Sequence, residues 1–236
     1  AVLSAADYAA DGMQAMFCQG NPKDVELRNQ DGRDVFYTPL DPLAHDRIRR
    51  VGEAVAMVVA ETAAVAAEAA LLVQGDYKPL PAAADPVAAL ACDAPQIWDK
   101  SFGNVCVDDH KGNPEQVDAA FRNAAHVTRM RFVNNRVNGI PMEPRAAIGS
   151  RDETTGRWLL LAGGQGVNRF QRELAHAFNE PLDHFRVVSR DTGGGYGTRN
   201  HLYPEFVLVV WAARRLGRPV KWTATRSESF RGHCYG

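Results

Sequence analysis

The sequence lacks the features that would mark a membrane protein or a binder of polyanions. Its 236 residues contain no uninterrupted apolar run of about 18 residues, the length that a membrane-spanning helix requires. The nearest candidate, residues 55–73, is broken by Glu61 and Glu68. The formal net charge is -1 and neither sign dominates. We therefore expect no membrane span and no nucleic-acid partner.

Cysteine is scarce and histidine is scattered. The four cysteines, Cys18, Cys92, Cys106 and Cys234, form no CxxC pair, which argues against a zinc or iron–sulfur site made by this chain alone. Such spacing is typical of free, mostly buried thiols in a reducing compartment, and we expect a cytoplasmic location. The histidines, which include His201 and His233, share no metal-ligand spacing and are expected to be surface or structural residues. No G-x-S-x-G elbow indicates a serine hydrolase.

What is present describes a mixed α/β protein. The chain is 45% hydrophobic, enough for one large core or two modest ones. Val-rich or alternating runs predict strands, and alanine-rich or periodic runs predict helices. The predicted strands are residues 53–60, 73–77, 126–133, 145–151, 157–161, 185–189 and 219–223. The predicted helices are residues 5–16, 63–72, 114–125, 171–178 and 203–216, with N-caps at Ser4 and Thr62 and a terminating Gly217.

The sharpest motif is residues 191–199, DTGGGYGTR, here called the glycine loop. Glycines allow close approach of the backbone to a ligand, and successive N–H groups can form an anion-binding concavity. The loop lacks the Gly-Lys-Ser/Thr of a phosphate-binding NTPase loop and the G-x-G-x-x-G spacing of a dinucleotide-binding fold. An ordinary tight turn is the alternative interpretation.

Two further segments carry polar groups suited to a site. Residues 163–166, GGQG, here called the glutamine loop, place the amide of Gln165 between glycines, where it can donate to and accept from a ligand. A polar surface turn is the simpler alternative. In residues 141–145, PMEPR, two prolines stiffen the backbone around Glu143 and Arg145. These two residues could pair with each other or with a partner domain, and a structural salt bridge at a strand entrance is equally compatible.

Seven segments in the same order resemble the xanthine dehydrogenase/aldehyde oxidase family, in particular the molybdopterin-binding large subunits of the carbon monoxide dehydrogenase type. The segments are VGEAVAMVVAET (51–62), YKPLPA (77–82), PMEPRAAIG (141–149), GGQG (163–166), DTGGGYGTR (191–199), YPE (203–205) and AARRLGRPVKW (212–222). The resemblance covers nearly the whole chain, more loosely before Leu43.

The resemblance implies a fold class and a domain order. It implies a partial α/β-hammerhead domain at residues 1–80, without its N-terminal strands, and a linker or crossover at residues 81–118. Residues 119–236 would be the beginning of a molybdenum-cofactor-binding domain. The Ala- and Pro-rich composition of residues 81–95 is consistent with a boundary in this region.

The resemblance also implies roles for particular residues. Gln165 matches the glutamine that hydrogen-bonds a molybdenum oxo ligand, and Tyr196 and Gly197 match an aromatic–glycine step beside the metal and pterin. Tyr196 departs from the usual Phe and could alter substrate choice. The cofactor-binding residues expected from the match are Gly164, Gln165, Gly194, Gly195, Tyr196, Gly197 and Arg199. The metal would take its sulfur ligands from the pterin dithiolene, so no protein metal ligand is expected.

The family reaction is hydroxylation of aldehydes or N-heterocycles with water as the oxygen source, or CO oxidation. The resemblance implies a molybdenum–molybdopterin cofactor, in the cytosine dinucleotide form. It also implies an iron–sulfur small subunit with [2Fe–2S] clusters, an FAD medium subunit, and the remainder of the large subunit as partners. The general base, a Glu, would lie beyond Gly236. One alternative is a cofactor-free binding or scaffold module of the same fold, which Tyr196 motivates. A nucleotide-binding Rossmann domain is a third, weaker alternative.

Overall fold

A computed structural model describes residues 1–16, 27–135 and 137–232. The chain forms two compact units. The first comprises the described parts of Ala1–Gln19, Pro39–Pro79 and Asn138–Gly236, and the second those of Gly20–Thr38 and Leu80–Val137. None of the helices in these described stretches is long and apolar enough to cross a membrane.

The first unit contains both strands and helices. They are β1 (Val2–Ser4), α1 (Ala5–Ala10), β2 (Ala56–Val58), α2 (Ala63–Ala70), β3 (Ala146–Arg151), β4 (Trp158–Ala162), α4 (Val167–Phe178), β5 (Phe185–Val188), α5 (Pro204–Leu216), β6 (Val220–Thr223) and α6 (Arg226–Arg231). A short 3₁₀ turn at Leu182–His184 precedes β5. The mixed helix-and-strand architecture expected from the sequence is confirmed.

The main sheet has four strands in the order β5-β4-β3-β6. β3 pairs antiparallel with both β4 and β6, whereas β4 and β5 run parallel. Parallel neighbours end at the same edge of a sheet, so the loops that follow β4 and β5 meet there. Those two loops are the glutamine loop and the glycine loop.

Helix α5 is the centre of the core. Eight consecutive residues, Phe206 to Ala213, are buried, because the sheet covers one side of the helix and α1 the other. Tyr8 of α1 packs edge-on against Trp211, with ring centroids 5.1 Å apart. The indole Nε1 of Trp211 donates to Asp11 Oδ2 at 2.8 Å. The helix ends at Gly217 with φ 62°, as predicted for a terminating glycine.

The second unit is rich in loops. It contains α3 (Pro114–Asn123) and a 3₁₀ turn at Ala88–Leu90. The side-chain amide of Asn104 organises the loops: its Nδ2 donates to the carbonyls of Ala89 and Pro95, and its Oδ1 accepts from the N–H of Ile97. A single half-buried side-chain amide thus satisfies three backbone groups.

Two predicted strands are wrong. Residues 73–77 do not form a strand; Val73 instead donates to Ala70 O in a turn that ends α2. Residues 126–133 alternate in polarity, but nearly all of them are exposed, including Met130 at 71% and Phe132 at 81%. In the described part of the chain no strand pairs with this segment. Its apolar side chains therefore have no sheet face to pack on.

Several boundaries also differ from the predictions. The helix predicted at 5–16 ends at Ala10, although its Ser4 N-cap is confirmed. The helix predicted to begin at residue 171 begins four residues earlier, at Val167, and its N-cap residue Gly166 provides no capping side chain. The strand β1 was not predicted from the sequence. It pairs with β2, which is shorter than the predicted strand at 53–60. Cys92 is exposed rather than buried; Cys18, Cys234 and His233 lie outside the described residues.

The close packing of β3 on α5 yields a stability prediction. A Cβ at Gly149 would lie 2.6 Å from the backbone nitrogen of Val210, so Gly149→Ala must push the helix away from the sheet. We expect the free energy of unfolding to fall by roughly 1–3 kcal/mol, measured by urea denaturation of the intact protein. Ser150→Ala, on the opposite face of the strand, is the matched control. Equal stability of Gly149→Ala and wild type would show that the contact is not tight.

The α1–α5 contact yields a pH prediction. Burial alone raises the pKa of Asp11, but the hydrogen bonds from Arg215 and Trp211 outweigh it and hold the pKa below 3.8. The stabilisation is therefore present above about pH 4 and lost as pH falls through the depressed pKa. Asp11→Asn should lower the free energy of unfolding by no more than about 1 kcal/mol at pH 7, since the Asp11–Arg215 pair is one-third exposed. The difference between the free energies of unfolding of the variant and the wild type, measured by urea denaturation, should shrink below pH 4. A difference that does not change with pH would contradict the prediction.

Candidate functional site

The glutamine loop and the glycine loop touch through two reciprocal contacts. The N–H of Gln165 donates to the carbonyl of Arg199 at 2.9 Å, and the N–H of Arg199 donates to Gln165 Oε1 at 3.3 Å. Nearby, the N–H of Gly164 donates to Ser189 Oγ at 3.1 Å. The two motifs singled out in the sequence therefore lie together, although 34 residues separate Gln165 from Arg199.

The glycines of these loops are required by close approach. A Cβ at Gly195 would lie 2.5 Å from Cδ of Gln165, and one at Gly164 would lie 2.7 Å from Cζ of Phe170. Gly194 and Gly197 adopt φ values of 100° and 81°, which side chains rarely tolerate. A side chain at Gly194 or Gly197 would strain the backbone, and one at Gly164 or Gly195 would displace the Phe170 ring or the Gln165 amide.

Tyr196 stands out within the glycine loop. Its backbone adopts φ 51°, and its side chain is 76% exposed. A bulky residue whose backbone adopts the left-handed conformation is strained by about 1–2 kcal/mol, and strained residues are common at functional sites. Because the side chain is exposed, its hydroxyl needs no protein partner.

Several hydrogen-bond donors at the loops remain unused. Thr198 and Gly194 donate their N–H groups to carbonyls within the loop. In contrast, the N–H groups of Gly195, Tyr196 and Gly197 meet no acceptor within residues 1–16, 27–135 and 137–232. The amide Nε2 of Gln165 likewise has no acceptor among those residues. Three successive free N–H groups beside a free amide are suited to oxygen atoms of an anionic or polar ligand.

The Arg199 side chain turns away from these donors into the protein. It is 3% exposed, and its Nη1 lies 3.1 Å from Glu143 Oε1. Its Nη2 donates to the backbone carbonyl of Glu143. The second carboxylate oxygen of Glu143 accepts from the N–H of Gly193. Glu143 therefore joins the PMEPR segment to the beginning and the end of the glycine loop.

Arg145 has a separate partner. Its Nη2 lies 3.2 Å from Glu205 Oε1, and its guanidinium stacks over the ring of Tyr203 at 4.3 Å. The hydroxyl of Tyr203 donates to the carbonyl of Thr198 at 2.5 Å. Of the alternatives open from the sequence, Glu143 and Arg145 do not pair with each other; each pairs with a residue of the loop or of α5.

Sequence reasoning missed a buried polar pair behind the loop. Glu173 of α4 is 3% exposed, accepts from Arg169 Nε at 2.7 Å, and accepts from the N–H of Leu202 at 2.9 Å. The i,i+4 spacing of Arg169 and Glu173 is the sequence pattern from which this ion pair could have been predicted. His201 next to it is buried, as expected of a structural histidine. Burial and the nearby Arg169 lower its pKa to about 4, so the imidazole is neutral near pH 7.

The chain matches two known domain families. Residues 98–234 match the molybdopterin cofactor-binding domain, and residues 2–81 match the a/b hammerhead domain of aldehyde oxidase and xanthine dehydrogenase.

Individual relatives agree with these matches. The chain is 36% identical over 186 residues to the 6-hydroxypseudooxynicotine dehydrogenase complex subunit gamma of Paenarthrobacter nicotinovorans, covering 79% of this chain and 23% of that protein. It is 33% identical to the carbon monoxide dehydrogenase large chain of Afipia carboxidovorans, covering 79% of this chain and 25% of that one. The crystal structure of quinoline 2-oxidoreductase from Pseudomonas putida 86 superposes with a TM-score of 0.81 at 32% identity, covering 98% of this chain and 28% of that chain.

The chain spans about a quarter of the length of the curated relatives it matches. The family match covers more than half of the chain, and its residues include both loops of the candidate site. The chain therefore belongs to the molybdopterin-binding large subunits of the xanthine dehydrogenase and aldehyde oxidase family.

Proposed function

We propose that this chain forms part of the molybdenum–molybdopterin centre of a hydroxylase that oxidises aldehydes, N-heterocycles or CO. The observation that carries the proposal is the meeting of the two loops: the free amide of Gln165 lies beside the free N–H groups of Gly195, Tyr196 and Gly197. These neutral donors suit the oxygen and phosphate atoms of a pterin cofactor.

The proposed roles follow from which groups are free and which are engaged. Gln165 would donate from Nε2 to an oxygen of the cofactor, since its Oε1 already accepts from Arg199. Gly195, Tyr196 and Gly197 would form the cradle with their free N–H groups. Gly164 and Gly194, whose N–H groups are already engaged, would line it and let the backbone approach the cofactor closely. Arg199 would belong to the cofactor-binding set by holding the cradle together: its backbone bonds Gln165, and its guanidinium is engaged with Glu143. When bound, the group supplies a two-electron oxidation with water as the source of oxygen.

The geometry of the cradle also limits what the chain's own residues do. Glu143 is engaged by Arg199 and Gly193, and His201 is neutral and buried. We therefore assign to these residues the holding and polarising of the cofactor, and no proton-transfer step. We place the general base in the part of the family's length that this chain does not span.

The finer identity of cofactor and partners follows from the same proposal. We infer the cytosine dinucleotide form of the cofactor from the resemblance to the carbon monoxide dehydrogenase type. Helix α4 begins at Val167, directly after the glutamine loop and without a side-chain cap, so its first N–H groups can bind a phosphate of either form of the pterin. Electrons would pass to [2Fe–2S] clusters and FAD on partner subunits; the name of one relative describes a subunit of a complex. The free, exposed thiol of Cys92 fits a cytoplasmic location.

Elemental analysis tests the cofactor assignment. The intact protein, purified from its native host with any subunits that copurify, should contain molybdenum in near-stoichiometric amount and release a fluorescent pterin on oxidation. Mass analysis of the released nucleotide should identify cytosine. A fully assembled complex free of molybdenum and pterin would overturn the proposal and favour a cofactor-free binding module of the same fold.

Gln165→Leu tests the proposed role of the amide. Leu is comparable in size but has neither the Nε2 donor nor the Oε1 acceptor. The backbone N–H of Gln165 still bonds Arg199, so the cofactor should stay bound while the rate falls. We expect kcat to drop about 100-fold, as when one donor to a developing charge is removed. The assay is oxidation of benzaldehyde, quinoline or nicotine, whichever the wild type accepts. Gln116→Leu, on the exposed face of α3, is the control. Wild-type kcat with full molybdenum content in Gln165→Leu would refute the assigned role.

A further inference from the structure

The segment at residues 141–145 is held in place by arginines that bind its carbonyl groups. It has no helix or strand of its own, and Pro141 and Pro144 have no N–H to donate. Arg226 Nη1 donates to the carbonyl of Pro141 at 2.8 Å, and its Nη2 donates to the carbonyl of Met142 at 2.5 Å. The next carbonyl, that of Glu143, accepts from Arg199. Three successive carbonyls are thus bound by two guanidinium groups.

The position of Arg226 is itself well determined. It is the first residue of α6, whose N-terminus is closed by a capping box between Thr225 and Glu228. The helix is fastened at its other end, because Asn138 Nδ2 donates to the carbonyl of Phe230 at 3.0 Å. A Cβ at Gly52 would lie 2.6 Å from the carbonyl oxygen of Arg231, so the chain also packs tightly against this end.

Glu143 transmits the position of this segment to the glycine loop. Its carboxylate accepts from the N–H of Gly193 and pairs with Arg199. A Cβ at Gly193 would lie 2.6 Å from Cβ of Glu143, so the two backbones can approach only because Gly193 is glycine. Any shift of residues 141–143 must therefore displace the first glycine of the loop or break the Arg199 pair.

We propose that Arg226 is a positioning residue for the cofactor site. It fixes the backbone of residues 141–143, which brings the Glu143 carboxylate to Gly193 and Arg199 and so sets where the loop presents the N–H groups of Gly195 to Gly197. The inference rests on the proposed function, because positioning has a chemical consequence only if those N–H groups meet the cofactor. Arg226 itself lies at the surface and acts through Glu143.

The test compares Arg226→Met, Arg226→Lys and Glu143→Gln with wild type in the intact, cofactor-loaded complex. Lysine retains the charge but cannot bind two carbonyls in the fork geometry of a guanidinium. Arg231→Met is the matched control, because Arg231 lies on the same helix and its side chain makes no hydrogen bond within the described stretches. The readouts are molybdenum content, the Mo(V) EPR signal after dithionite reduction, hydrogen exchange of the glycine loop, and kcat and KM on benzaldehyde, quinoline or nicotine.

The expected result is specific to positioning. Arg226→Met should retain molybdenum but shift the g values of the Mo(V) signal, speed amide exchange at Gly193, and lower kcat about 10- to 100-fold with little change in KM. Arg226→Lys should be intermediate, Glu143→Gln should resemble Arg226→Met, and Arg231→Met should match wild type.

Other outcomes separate the two claims. Wild-type EPR, exchange and kcat in both Arg226→Met and Glu143→Gln would overturn the positioning role. If Arg226→Met fails to assemble, Glu143→Gln decides the question alone by the same criteria. Folded variants that lose molybdenum would overturn it as well, because these residues would then retain the cofactor rather than orient it. Absence of molybdenum from the wild type would instead refute the proposed function.

Discussion

The buried guanidinium of Arg199 is the contact on which the candidate site depends. Its backbone exchanges hydrogen bonds with Gln165, and its side chain binds both the carboxylate and the carbonyl of Glu143. One residue thus fixes the glutamine loop, the glycine loop and the PMEPR segment relative to each other. A charge taken out of water persists only when it is paired and hydrogen-bonded, so the pairing forces these three segments together.

A second constraint is the close approach of backbones, which glycine permits. Such close approach occurs at three places in the first unit: Gly149 lets β3 contact α5, Gly193 lets the glycine loop contact Glu143, and Gly195 leaves room for the Gln165 amide. The parallel pairing of β4 and β5 supplies the common edge at which the loops emerge. Polar side chains therefore hold the backbone of the site in place, and the N–H groups of Gly195 to Gly197 stay available for a ligand.

The sequence predicted those elements whose signal is local. The caps Ser4 and Thr62, the terminating Gly217 and the strands β3 and β4 are as expected, because caps and strand patterns are set by neighbouring residues. The strands predicted at 73–77 and 126–133 fail because a strand also needs a partner, which local pattern does not reveal. The two loops could be singled out by composition and resemblance. The pairing of Glu143 with Arg199 could not be predicted from the sequence, because 56 residues separate the two and Arg145 is a nearer candidate partner.

The central claim is that the two loops form one cradle for the cofactor, held by Arg199. A crystal structure of the intact, cofactor-loaded protein tests it most directly. The account predicts the pterin group against the N–H groups of Gly195 to Gly197, with Gln165 Nε2 within hydrogen-bond distance of a cofactor oxygen and the Arg199–Glu143 pair intact beneath it. Cofactor density remote from both loops, or a Gln165 amide turned away from the cofactor, would contradict it.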